Sequence, residues 1–96
     1  MYKLVFYPKF LRKSAKLTKR NHALETDVLQ TLQQLSDNPF EPSLHTHKVT
    51  DIDGNLAFSS KITGDLRAIW DFGENEIRVI ELLDIGGHSG KNKVYR

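Results

Sequence analysis

The run Arg78-Val79-Ile80-Glu81-Leu82-Leu83-Asp84-Ile85-Gly86-Gly87-His88 restricts the possible folds more than any other stretch. Its apolar residues fall on both sides of an extended chain, Val79 and Leu83 on one face and Ile80 and Leu82 on the other. Such a strand needs cover on both faces and therefore belongs inside a sheet. It stops at Gly86-Gly87, where the backbone can turn tightly and hold the next side chain, His88, at the sheet's rim. Upstream, Leu66-Arg67-Ala68-Ile69-Trp70-Asp71-Phe72 reads as its hairpin partner, joined to it through Gly73-Glu74-Asn75. Arg67 lies on the face opposite to Leu66, Ala68, Trp70 and Phe72.

The earlier residues supply what covers the sheet. Tyr2–Tyr7 alternates and is rich in strand formers, and Pro8 ends it while suiting the first turn of a helix. From Lys9 to about Arg20, Phe10, Leu11, Ala15 and Leu17 fall mainly on one side of a basic helix. Thr18 or Asn21 can cap a second helix, whose apolar stripe is Leu24, Val28, Leu32 and Leu35 and whose end is Asp37-Asn38-Pro39. Residues 39–55 read as irregular, with an extended piece at Leu44-His45-Thr46-His47-Lys48-Val49. A short strand at 56–60 follows. The expectation is one α+β domain over 1–96, ordered β-α-α-β-β-β: an N-terminal strand, a helical hairpin, then a three-strand antiparallel meander. One sheet face takes the helices, and the other is left open to a ligand.

Charge and composition narrow the function. The chain has 96 residues, no cysteine and a net charge of +2. Lys3, Lys9, Arg12, Lys13, Lys16, Lys19 and Arg20 precede every acid, because the first acidic residue is Glu25. A basic first element suits a polyanionic partner. No apolar run approaches the ~20 residues of a membrane span, and Lys9, Arg12 and Lys13 interrupt any early signal-like core, so an intracellular protein is expected. No phosphate-loop, nucleophile-elbow or zinc-ligand pattern occurs, so neither a cofactor nor a metal is expected. What remains is a small set of Arg, His, Lys and Tyr side chains. That set suits RNA cleavage, in which the ribose 2′-hydroxyl is the nucleophile and the protein supplies a base, an acid and cations. A guanidinium such as that of Arg67 offers a planar fork for phosphate oxygens.

Three blocks, Leu44–Val49, Leu66–Phe72 and Leu82–His88 with the closing Val94-Tyr95-Arg96, occur in an order and spacing similar to the RelE/ParE superfamily of type II toxin–antitoxin toxins. The basic helical hairpin before them fits the same family. The resemblance implies a bacterial cytoplasmic toxin held inactive by a cognate antitoxin in a hetero-oligomeric complex. In the RelE- and YafQ-like branch it implies a ribosome-dependent mRNA endoribonuclease. Arg67 would then hold the scissile phosphate, and His88 would be general acid or base. His47 and Asp71 would support the reaction. Lys48, Lys91, Lys93 and Tyr95 would contact mRNA, and Arg12, Lys13 and Lys16 would meet ribosomal RNA. The segment Ser89-Gly90-Lys91-Asn92-Lys93 departs from the family spacing by being longer and basic. Two alternatives stand beside this reading: a ParE-like inhibitor of DNA gyrase without nuclease activity, and a catalytically degraded homologue that still binds antitoxin.

Overall fold

Strand β1 (Lys3–Phe6) leads into helix α1 (Pro8–Thr18) in the computed structural model, which describes residues 1–87, 93 and 94 apart from the side chains of residues 76 and 77. Pro8 takes the first turn of α1, where its missing N–H costs no hydrogen bond. Lys19 and Arg20 connect it to α2 (His22–Asp37), with Arg20 in the left-handed region at φ 62°. Asn21, one of the two expected caps, accepts the Leu24 N–H on its Oδ1 at 3.0 Å. The stripe on α2 is as the spacing requires: Val28 and Leu35 are buried, and Leu24 and Leu32 pack partly buried against the same core.

A single 3-10 turn (Pro42–Leu44) then leads to strands β2 (His47–Thr50), β3 (Leu56–Lys61), β4 (Leu66–Gly73) and β5 (Glu76–Gly87). The α+β architecture is the expected one, with one addition. The extended piece at residues 47–50, read from sequence as part of an irregular segment, pairs with β3 and becomes the sheet's edge. The strand order is β1-β5-β4-β3-β2, so β5 is interior, as its two apolar faces demand. β1 runs parallel to β5, and the remaining neighbours are antiparallel.

Register explains how β5 serves both faces. Trp70 pairs with Leu82 but Ile69 pairs with Asp84, so Leu83 is the extra residue of a bulge. Leu82 and Ile85 are an odd number apart and in a regular strand would face opposite ways. The bulge lets both join Phe10, Val28, Leu35, Leu66, Ala68, Trp70 and Ile80 beneath the helices. Leu83 instead packs on the other face against Ala57, Ile69 and Val94. Trp70 is fully buried and stacks on Phe58 at 4.7 Å between ring centres. No helix among the described residues is long and apolar enough to cross a membrane.

Candidate functional site

The face of the sheet turned away from the helices carries Arg67. Cross-strand pairing sets its neighbours, because residues directly opposite in adjacent strands share a face. Arg67 is opposite Lys61 on β3 and Gly86 on β5. Next along the sheet, His47, Ser59 and Ile69 form a second row. His47 and Arg67 are thus two strands apart, about 10 Å across the sheet, with Ser59 and Lys61 between them.

Arg67 is half-buried, and its only hydrogen bond to a described residue is a long one of 3.4 Å from Nη2 to the Gly64 carbonyl. Its Nε is buried and has no partner among the described residues, and neither does the fully buried Ser59 hydroxyl. Nor does Arg67 form an ion pair with Asp71 or Glu81 among the described residues. A guanidinium held in a sheet with no carboxylate partner among the described residues has the chemistry to receive an anion.

Gly87 carries a second feature. A β-carbon there would lie 3.1 Å from Asp65 Cγ and closer still to its Oδ2, so the Asp65 carboxylate fills the space that glycine leaves. Lys93 forms a bridge with Gly87, and the Val94 N–H donates to the Gly87 carbonyl at 2.9 Å. Val94 is fully buried, whereas Lys93 is exposed. His88, Lys91 and Tyr95 lie outside the described residues.

The other expected residues are placed as follows. His47 is exposed at the start of β2, and its Nδ1 lies 2.9 Å from the His45 carbonyl. Lys48 is exposed on the opposite side of that strand. Asp71 is four residues from Arg67 on β4, about 13 Å along the strand, and its Oδ1 accepts its neighbour's Phe72 N–H at 2.8 Å. The structure therefore separates Asp71 from Arg67. Asp71 instead pairs in register with Glu81, whose Oε1 accepts the Tyr7 hydroxyl at 3.2 Å. The Glu81 carboxylate, some desolvation, and then Asp71 and Glu74 raise the Tyr7 pKa above its ordinary value. This face is thus basic around Lys61 and Arg67 and acidic around Asp71, Glu74 and Glu81, with the apolar cluster of Ala57, Ile69, Leu83 and Val94 between the two ends.

Arg12 and Lys16 are exposed on α1, across the sheet from Arg67. Lys13 is committed elsewhere: its Nζ donates to the buried Asp84 at 2.6 Å, and Lys9 reaches the same carboxylate at 3.3 Å. That pairing compensates for basic side chains near a helix N-terminus, where the macrodipole disfavours them. Sequence reading missed Asp65, Ser59 and Lys61 as members of the site. Asp65 looked like turn punctuation, and its one available signal was an acid directly before the strand that carries Arg67.

Solved structures of similar fold include several toxins. A YoeB/ParE toxin from Agrobacterium tumefaciens superposes with a TM-score of 0.71 at 14% identity, over 91% of this chain and 99% of that one. The toxin–antitoxin complex YoeB–YefM from Staphylococcus aureus gives 0.69 at 13% identity, over 93% and 99%. YafQ from E. coli strain BL21(DE3) gives 0.67 at 13% identity, over 91% and 93%. The fold is the one these YoeB/ParE and YafQ toxins share. No family model and no curated protein matches the chain by sequence. Within this fold, the helix-free face with Arg67, Lys61 and His47 is the candidate functional surface.

Proposed function

We propose that the chain is the toxin of a type II toxin–antitoxin pair, and that it is an endoribonuclease acting on mRNA at the ribosome. The observation that carries this reading is Arg67, a charged fork whose buried Nε has no partner among the described residues, set beside Lys61 on the helix-free face. In this reading Arg67 and Lys61 hold the scissile phosphate. A base takes the proton of the ribose 2′-hydroxyl, and O2′ forms a bond to phosphorus. The P–O5′ bond breaks, and the departing O5′ takes a proton from an acid. His47 and His88 are the two histidines for these transfers. Asp65 packs at Gly87, the residue before His88 in sequence, while Asp71 is too far from Arg67 to share the step. Lys48, Lys91, Lys93 and Tyr95 serve as mRNA contacts. The acidic end at Asp71, Glu74 and Glu81 repels the backbone and so directs the strand toward Arg67. As YoeB is paired with YefM in a toxin–antitoxin complex, the chain has a protein antitoxin as its partner; in this reading it works in the cytoplasm.

Primer extension on a translated mRNA, in a reconstituted translation system, tests the reading. Cuts that require ribosomes are the expected result. Intact mRNA would overturn the endoribonuclease reading and direct attention to inhibition of DNA gyrase supercoiling.

Two further results are expected. Arg12 and Lys16 are exposed like charges four apart on α1, an arrangement that suits a polyanion-docking face. Reversing both to Glu should weaken co-sedimentation with ribosomes, most strongly at low salt. Unchanged co-sedimentation would remove α1 from the docking surface. Gly87→Ala should displace the Asp65 carboxylate, cost about 1–3 kcal/mol of stability in a denaturant melt and impair cleavage of mRNA even where the variant is fully folded. Full activity in folded Gly87→Ala would exclude Asp65 and the Gly87 turn from the site.

A further inference from the structure

His45 has a backbone conformation that its side chain does not favour, with φ 49° and ψ 41°. Left-handed backbone at a non-glycine residue costs on the order of 1–3 kcal/mol and persists where surrounding contacts impose it. The contacts are visible. The His45 N–H closes the 3-10 turn on the Pro42 carbonyl at 3.1 Å. The next residue, Thr46, is held from below by a buried chain of hydroxyls whose direction chemistry fixes throughout.

The Trp70 indole Nε1 can only donate, and it donates to Ser60 Oγ at 2.8 Å. The Pro39 carbonyl can only accept, and it takes the Thr46 hydroxyl proton at 2.7 Å. Thr46 Oγ1 and Ser60 Oγ are 2.7 Å apart. With the Thr46 proton spent on Pro39, Ser60 must be the donor between them. The order is therefore Trp70 to Ser60 to Thr46 to Pro39, and Trp70, Ser60 and Pro39 are fully buried. Breaking any link leaves a buried polar group without its partner.

The same logic assigns the His47 ring. Its Nδ1 lies 2.9 Å from the His45 carbonyl, an acceptor only, so Nδ1 carries the proton. In the neutral ring Nε2 is then a lone pair on an exposed side chain. We propose that the Trp70–Ser60–Thr46–Pro39 chain is a positioning device: it locks residues 45–47 so that the strained His45 turns its carbonyl onto His47 and fixes the ring as a proton acceptor at Nε2. Trp70, Ser60, Thr46 and His45 are positioning residues in this account, because none of them touches the substrate. The link to cleavage rests on the endoribonuclease reading above. The tautomer does not.

Thr46→Val tests the device, since it keeps the β-branched shape and removes the hydroxyl, and Thr46→Ser restores the hydroxyl alone. Long-range proton–nitrogen NMR correlation of the neutral His47 ring reads which nitrogen is protonated. Wild type and Thr46→Ser should show the proton on Nδ1, and folded Thr46→Val should show a mixture of the two tautomers. The single-turnover cleavage rate should fall about tenfold or more in Thr46→Val, with substrate affinity within twofold and with recovery in Thr46→Ser. A proton on Nε2 in wild type would overturn the proposal whatever becomes of Thr46→Val, including its failure to fold. An unmoved tautomer in folded Thr46→Val would overturn it too. A shifted tautomer in a protein whose wild type cuts no RNA would uphold the device and refute the endoribonuclease reading instead.

Discussion

Arg67→Ala is expected to slow mRNA cleavage by about 10²-fold or more, the usual loss when a preorganised charge is removed from a developing negative charge. Folding should not suffer. The buried Nε of Arg67 has no partner among the described residues, so truncation removes a desolvated polar group rather than breaking a hydrogen bond with it. The melting temperature should therefore be unchanged or higher, and antitoxin binding should persist. Arg67→Lys keeps the charge and loses the fork, so its rate should fall between those of alanine and wild type. Single-turnover cleavage with matched thermal melts would measure both effects. A rate for Arg67→Ala within twofold of wild type would remove it from the mechanism.

His88→Ala should abolish growth arrest on induction, with the cleavage rate down by about 10²- to 10⁴-fold, the range for loss of a general acid or base. The argument is one of chemistry and place. Histidine exchanges a proton near neutral pH more readily than any other side chain, and this one directly follows Gly87, where the Asp65 carboxylate is packed. Gly87 itself is held in β5 by its pairing with Leu66 on β4. Undiminished growth arrest by a variant expressed at wild-type level would assign His88 a structural role.

Much of the fold was legible because it depends on local periodicity. The four- and three-residue spacing on α2 could only be an amphipathic helix, Pro8 and Asn21 mark the starts of α1 and α2, and Gly73-Glu74-Asn75 joins two apolar strands. The candidate site was legible in part. Arg67 stood out because it interrupts an apolar strand on one face, and His47 and His88 because of their residue type. Asp71 looked equivalent to Arg67 because it shares the same strand face. Face is a property of parity, however, whereas proximity is a property of distance, and four residues of strand separate the two. Lys13 looked like its neighbours on α1 until Asp84, distant in sequence, was found to bind it.

The sequence by itself determined the two helices with their caps, the apolar β4–β5 hairpin, the interior status of β5 and the basic first element. Each of these follows from side chains a few residues apart, where backbone geometry leaves little choice. Only the tertiary structure decided that β1 pairs in parallel beside β5 and that residues 47–50 pair as an edge strand. It alone revealed that Leu83 bulges, that Lys61 lies opposite Arg67 with Ser59 one row along, and that Asp65 packs at Gly87. It also supplied the Trp70-to-Pro39 hydroxyl chain. These depend on register between segments far apart in the chain, and an alternating pattern specifies which face a residue takes without specifying which residue lies opposite.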